Sequence, residues 1–131
     1  MIEKNTKIIL CIEDEQEMID LISLILSRRG YEIRGANSGK EGLEIIRKDH
    51  PDLILLDLMM PDMDGWEVYQ HMKADEATKN IPVIVVTAKA QSIDKVLGLH
   101  IAKVCDYIAK PFSPQELLAS VDNVLGREKT A

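Results

Sequence analysis

Two cysteines, one tryptophan and one phenylalanine are all that this 131-residue chain holds of those types. Cys11 and Cys105 lie far apart and form neither a C-x-x-C pair nor a zinc spacing, which excludes a disulfide framework and a cysteine-based metal site. Both sit near apolar, strand-like runs and are expected to be reduced core thiols of a cytoplasmic protein. His50, His71 and His100 share no metal-ligand spacing and are expected on the surface or at helix ends. Positive charge is short as well: 16 Lys and Arg face 22 Asp and Glu, leaving a formal net charge of −6. Direct binding to nucleic acid or to an anionic membrane is therefore not expected. No apolar run approaches the ~20 residues that span a bilayer. The opening "MIEKNTKIILCIEDE" has no long apolar stretch closed by a cleavage site, so no secretory signal is expected. Repeats and low-complexity tracts are absent. No glycine-rich turn follows the first apolar run, which excludes a Rossmann-type nucleotide site.

What is present is ordinary globular material, 46% hydrophobic and 29% charged, in a length that fits one domain with a real core. Strand and helix patterns alternate five times. "KIILCI" (7–12) reads as a strand, and Met18, Leu21, Ile22 and Ile25 follow at helical spacing up to Gly30. "YEIRGA" (31–36) is a weaker, alternating strand. Ser38 and Glu41 form a capping box before a helix that carries Leu43, Ile45 and Ile46. Pro51 precedes a strand over 53–57, and Asp64 with Glu67 starts the helix "WEVYQHMKA". "IPVIVVTA" (81–88) is a fourth strand, followed by a helix carrying Ile93, Val96, Leu97 and Ile101. "DYIAK" (106–110) is a short fifth strand. Ser113, Pro114 and Glu116 open a last helix whose stripe is Leu117, Leu118, Val121, Val124 and Leu125, ended by Gly126.

Continuous apolar strands alternating with amphipathic helices predict an α/β domain: a doubly wound, five-stranded parallel sheet with helices on both faces. One domain is expected over 1–131, with its core over about 7–125 and a short tail beyond. Such folds place their ligand site outside the carboxyl ends of the strands. Glu13 and Asp14 follow the first strand, Asp57 ends the third, Thr87 the fourth and Lys110 the fifth. The second ends in "GAN" and offers nothing comparable. Each of these residues alone has a plainer reading as a turn or cap residue. Their joint placement at four strand ends is hard to explain by packing. Three carboxylates repel one another unless a cation joins them, and hard oxygen ligands suit magnesium. A lysine and a hydroxyl beside them suit a phosphoryl group. Asp57 is then a candidate nucleophile that accepts one.

The motifs Glu13-Asp14, "DLMMPDMDG" (57–65), Thr87-Ala88 and Lys110-Pro111-Phe112 resemble those of the receiver domains of two-component response regulators, from Lys7 to about Leu125. The resemblance implies a flavodoxin-like (βα)5 fold and a phosphorylation-activated signalling switch, not an enzyme acting on a separate substrate. Asp57 would take a phosphoryl group from a histidine kinase or a histidine phosphotransfer protein. Asp14 and Asp57 would hold magnesium, or manganese in its place, with Glu13 acting through water and the Met59 carbonyl as a further ligand. Thr87 and Lys110 would bind the phosphoryl oxygens, and the Lys110–Pro111 bond would be cis. Tyr107 stands where the family's switch aromatic lies; its plainer reading is a half-buried strand tyrosine. The face of the helix over 93–101, the fifth strand and the last helix would meet a downstream partner, and a phosphorylation-linked homodimer through it is open.

Three departures stand out. Glu13 occupies a position where Asp is commoner. Lys103 replaces the glycine usual before the fifth strand, which costs about 1–2 kcal/mol if that turn stays left-handed. Met59 and Lys89 flank the expected phosphoryl group. An apolar Met59 shielding the attacking water, or Lys89 holding the oxygens, predicts a long-lived phosphoryl-aspartate. Two other readings remain: a pseudo-receiver that binds partners without phosphate turnover, and a magnesium phosphohydrolase of the haloacid-dehalogenase type. The latter wants an acid two residues after the nucleophile, where this chain has Met59, and a cap domain. A calcium loop at "DMDG" (62–65) fails, because Met60 and His71 would fall at its first and last ligand positions.

Overall fold

A computed structural model of the protein describes residues 6–61, 63–88 and 104–126. Nine elements are described: β1 (Ile8–Ile12), α1 (Gln16–Ser27), β2 (Glu32–Ala36), α2 (Gly39–Asp49), β3 (Leu53–Leu56), α3 (Gly65–Lys73), β4 (Val83–Thr87), β5 (Asp106–Ala109) and α4 (Pro114–Leu125). The five strands form one parallel sheet in the order β2-β1-β3-β4-β5. The helix expected over 93–101, with His100, Lys89 and Lys103, lies outside the described residues.

Strand parity divides the core in two. Leu10, Ile12, Ile54, Leu56, Val83 and Val85 face one side and pack with Leu43 and Ile46 of α2 and Val68, Tyr69 and Met72 of α3. Ile9, Cys11, Leu53, Leu55, Ile84, Val86 and Ile108 face the other, with Ile19, Ile22, Ile25 and Leu26 of α1 and Leu117 and Val121 of α4. Both faces of β1, β3 and β4 are covered, which is why these strands read as unbroken apolar runs. β2 and β5 are the edges; Glu32 and Gly35 of β2 and Asp106, Tyr107 and Ala109 of β5 are exposed.

Helix ends follow local chemistry. Ser113 Oγ accepts from the Glu116 N–H at 3.1 Å and Glu116 Oε1 accepts from the Ser113 N–H at 2.8 Å, a complete capping box with Pro114 inside the first turn. The expected box at α2 is only half made. Ser38 Oγ accepts from the Glu41 N–H at 3.1 Å, but the Glu41 carboxylate turns to the Asn37 N–H at 2.9 Å, one residue before the cap. Asp64 caps α3 by accepting from the Trp66 N–H at 2.7 Å. Gly30 and Gly126 take positive φ after α1 and α4. Cys11 is a buried thiol as expected, whereas Cys105 is exposed. It precedes the edge strand β5, where no layer of described residues covers it.

Candidate phosphoryl and metal site

Parallel strands with a common direction deliver their ends to one rim. Glu13 follows β1 directly, with its N–H bonded to the Ala36 carbonyl of β2 at 3.0 Å. Asp57 follows β3, one residue beyond the strand, with its N–H on the Ile12 carbonyl at 3.1 Å. Thr87 closes β4, and its carbonyl accepts from the Lys110 N–H at 3.0 Å. The backbone thus ties the ends of β2, β1 and β3 to one another, and the end of β4 to that of β5, before any side chain contributes.

Among the described residues, Glu13, Asp14 and Asp57 each bring a carboxylate oxygen to within 4.8 Å of the others. Glu13 is 2% exposed and Asp57 4%, whereas Asp14 is exposed and opens the group to solvent. Lys110 Nζ lies 2.6 Å from Glu13 Oε1 and 3.5 Å from Asp57 Oδ2. Asp57 Oδ1 accepts from the Met59 N–H at 3.0 Å, which orients this carboxylate. Thr87 Oγ1 is buried and has no hydrogen-bond partner among the described residues. Most buried hydroxyls in native proteins are hydrogen-bonded, so this one stands out among the described residues.

The charges are not balanced. Burial, reinforced by the charge of Asp57, pushes the Glu13 carboxyl up to about 7 against the opposing hydrogen bond from Lys110. Burial alone would lower the Lys110 ammonium; its hydrogen bond to Glu13 and the charge of Asp57 outweigh that and hold it above its ordinary value. Among the described residues, one ammonium faces three carboxyl groups. Oxygen donors with excess negative charge and one open side fit a hard divalent cation such as magnesium.

The loop after Asp57 is held by a close backbone approach. The Gly65 N–H donates to the Leu58 carbonyl at 3.2 Å. A Cβ built at Gly65 would stand 2.2 Å from the Asp57 carbonyl oxygen, so only glycine fits. The Lys110–Pro111 peptide bond is cis. Met59 is 48% exposed at the rim, and Tyr107, in the middle of β5, is 45% exposed. Asn37, where the second strand seemed to offer nothing, donates through Nδ2 to Gln16 Oε1 at 3.0 Å and ties the β2–α2 loop to α1. No sequence motif marks that bridge, because it joins a loop residue to the first residue of a helix 21 positions earlier.

The family model for the response regulator receiver domain matches residues 9–122. The chain belongs to this family. It is 39% identical over 125 residues to the alkaline phosphatase synthesis transcriptional regulatory protein PhoP of Bacillus subtilis, covering 95% of this chain and 51% of that protein. Against the phosphate regulon transcriptional regulatory protein PhoB of Pseudomonas aeruginosa it is 41% identical over 121 residues, covering 92% of this chain and 52% of that one. The receiver thus spans about half the length of the curated relatives it matches. Among solved structures, a putative response regulator from Chloroflexus aurantiacus aligns with a TM-score of 0.84 at 34% identity, covering 93% of this chain and 99% of that one. The chemotaxis protein CheY4 of Vibrio cholerae aligns with a TM-score of 0.82 at 27% identity, covering 91% and 98%. The receiver is thus a component of two-component signalling. No helix among the described residues is long and apolar enough to cross a membrane.

Proposed function

We propose that this receiver is a phosphorylation-activated switch with Asp57 as acceptor. A carboxylate oxygen of Asp57 attacks phosphorus, a P–O bond forms, and the P–N bond of a phosphohistidine on a kinase or phosphotransfer protein breaks as the imidazole leaves with the electron pair. Glu13, Asp14 and Asp57, with the Met59 carbonyl, would hold a magnesium or manganese ion. That ion supplies charge neutralisation for the transferred group. Lys110 and Thr87 bind the new phosphoryl oxygens. The chain turns over nothing but its own phosphoryl group.

The observation that carries this reading is the buried Asp57 carboxylate grouped with Glu13, Asp14 and Lys110, with the Thr87 hydroxyl of the neighbouring strand end buried and without a partner among the described residues. A merely structural cluster would satisfy that hydroxyl. Phosphorylation adds up to two negative charges and three acceptor oxygens, which offers the Thr87 hydroxyl an acceptor that it does not have among the described residues. An inward shift of Thr87 and rotation of the exposed Tyr107 would then change the surface of β5 and α4, biasing binding of a downstream protein there or a second receiver.

Intact mass after incubation with acetyl phosphate tests it, with magnesium or with EDTA, on the wild type and on Asp57→Asn. One phosphoryl group, dependent on magnesium and lost in the variant, is the expected result. No phosphorylation under either condition overturns the reading in favour of a partner-binding module without phosphate chemistry. Decay of the product over hours supports the shielding role of the exposed Met59; loss within seconds refutes it.

A further inference from the structure

The end of β2 gives no side chain to the carboxylate group, yet it grips the loop that does. Glu13, Asp14 and Glu15 join β1 to α1. Before Asp14, the Glu13 N–H donates to the Ala36 carbonyl at 3.0 Å. Beyond it, Gln16 Oε1 accepts from Asn37 Nδ2 at 3.0 Å. Two consecutive residues at the end of β2 therefore hold the acidic loop on both sides of Asp14. The second contact is itself braced at each end. Gln16 opens α1, and its Nε2 donates to Asp20 Oδ1 at 2.8 Å, one turn on. The Asn37 N–H donates to Glu41 Oε1 at 2.9 Å in α2. Each partner is thus fixed to the helix that follows it. Glu15, the cap residue of α1, makes no side-chain cap bond, so the side-chain tie at this end of the helix comes from the neighbouring loop.

We propose that Gln16 and Asn37 form a clamp that sets Asp14 in the cation site. The inference rests on the proposed cation site, and both amides are positioning residues. Glu13 and Asp57 are buried, so packing restricts where their carboxylates can go. Asp14 is the exposed member of the group, and its aim depends on the backbone that carries it. On a loose loop that carboxylate would sample many positions. A cation would then have to order it on binding, at a cost in affinity. The clamp does this ordering in advance. The Gln16–Asn37 bond lies at the exposed surface, so it adds little to global stability and its effect is local. The end of β2 thus contributes to the rim by placing a ligand rather than by supplying one.

Two measurements test this. Manganese affinity, read from the electron paramagnetic resonance of free Mn2+, is compared for the wild type, Gln16→Ala, Asn37→Ala and the double variant. The clamp predicts about 5-fold weaker binding in each single variant, the worth of one hydrogen bond. It predicts no further loss in the double variant, because either change removes the same contact. The second measurement is the backbone 15N order parameter of Asp14 in EDTA, which should fall from about 0.85 toward 0.6 in Asn37→Ala. Both side chains are exposed, so the variants keep the fold. Single variants within twofold of wild type, or losses that multiply in the double variant, overturn the clamp and leave the cation site standing. An Asp14 backbone as ordered in Asn37→Ala as in the wild type does the same. Failure of the wild type to bind Mn2+ at all overturns the cation reading, and the clamp with it.

Discussion

Two buried acidic regions of this receiver obey opposite rules. At the rim, Glu13, Asp14 and Asp57 share one ammonium, and the Thr87 hydroxyl beside them has no partner among the described residues. On the flank where α1, α4 and the start of β2 meet, Asp122 is 4% exposed, and its two oxygens accept from the Arg29 guanidinium and from the Tyr31 hydroxyl. Both regions bury carboxylate. The Asp122 knot is complete within the chain and stabilises the packing of three elements. Among the described residues the rim keeps surplus negative charge and a donor without a partner, as the proposed cation and phosphoryl group would require. Burial of a charge does not by itself mark function; burial with partners missing does.

The strongest way to break the comparison is to remove Asp122. Its loss removes a buried acceptor shared by the Tyr31 hydroxyl and the Arg29 guanidinium. Asp122→Ala should therefore destabilise the fold by about 2–3 kcal/mol, the cost of breaking a buried, charge-assisted hydrogen-bond network and of the lost packing. Urea unfolding measures it. Manganese affinity at the rim should stay within twofold of wild type. A large loss of cation binding with little loss of stability would invert the assignment of the two regions.

Much of the rim was legible in the sequence because it depends on strand ends. β1, β3 and β4 announce themselves by apolar runs buried on both faces, and once they are parallel Glu13, Asp57 and Thr87 must share an edge. The α4 cap was legible for a different reason: Ser113, Pro114 and Glu116 act within four residues. The Asp122 knot left no trace, since its partners lie 93 and 91 residues away. Ser120 is similar, buried to donate to Asp106 Oδ2 at 2.6 Å across α4 and β5. Composition misplaced Cys105 because its apolar flank suggested a core strand, whereas β5 is a short edge. Sequence reasoning sent Glu13 to the cation and Lys110 to the phosphoryl group. That the two also bond to each other depends on the length of both side chains across two intervening strands, which no motif encodes.

A smaller effect separates the regions by pH. The Glu13 carboxyl is raised from 4.5 to about 7, chiefly by burial. The folded state therefore favours its protonated form. The resulting stability is complete below the unfolded value near 4.5 and is lost as pH rises through about 7. In EDTA, the wild type should lose about 2 kcal/mol more stability between pH 5 and pH 8 than Glu13→Gln, the full shift being discounted for relaxation around Lys110. Urea unfolding at the two pH values checks this. Equal losses in both proteins would mean that the acidic strain of the rim resides elsewhere than Glu13.

The finest test is a single hydroxyl. In a complete knot every polar atom is partnered, so trimming one costs stability. At the rim the Thr87 hydroxyl is buried without a partner among the described residues, so its removal should do the reverse. Thr87→Val keeps the shape and deletes the unpaired donor, and should stabilise the metal-free protein by about 0.5–1 kcal/mol. The gain must vanish once the site is filled. Magnesium and fluoroberyllate, a phosphoryl mimic on Asp57, should stabilise the wild type more than the variant, because only the wild type can donate to the added fluorines. A thermal unfolding series with and without the mimic reads both signs at once. A variant that is less stable in the metal-free form would show that the hydroxyl is already satisfied, and the rim would then be as complete as the knot. A variant that gains stability and keeps the full response to the mimic would show that the spare donor faces something other than the phosphoryl group.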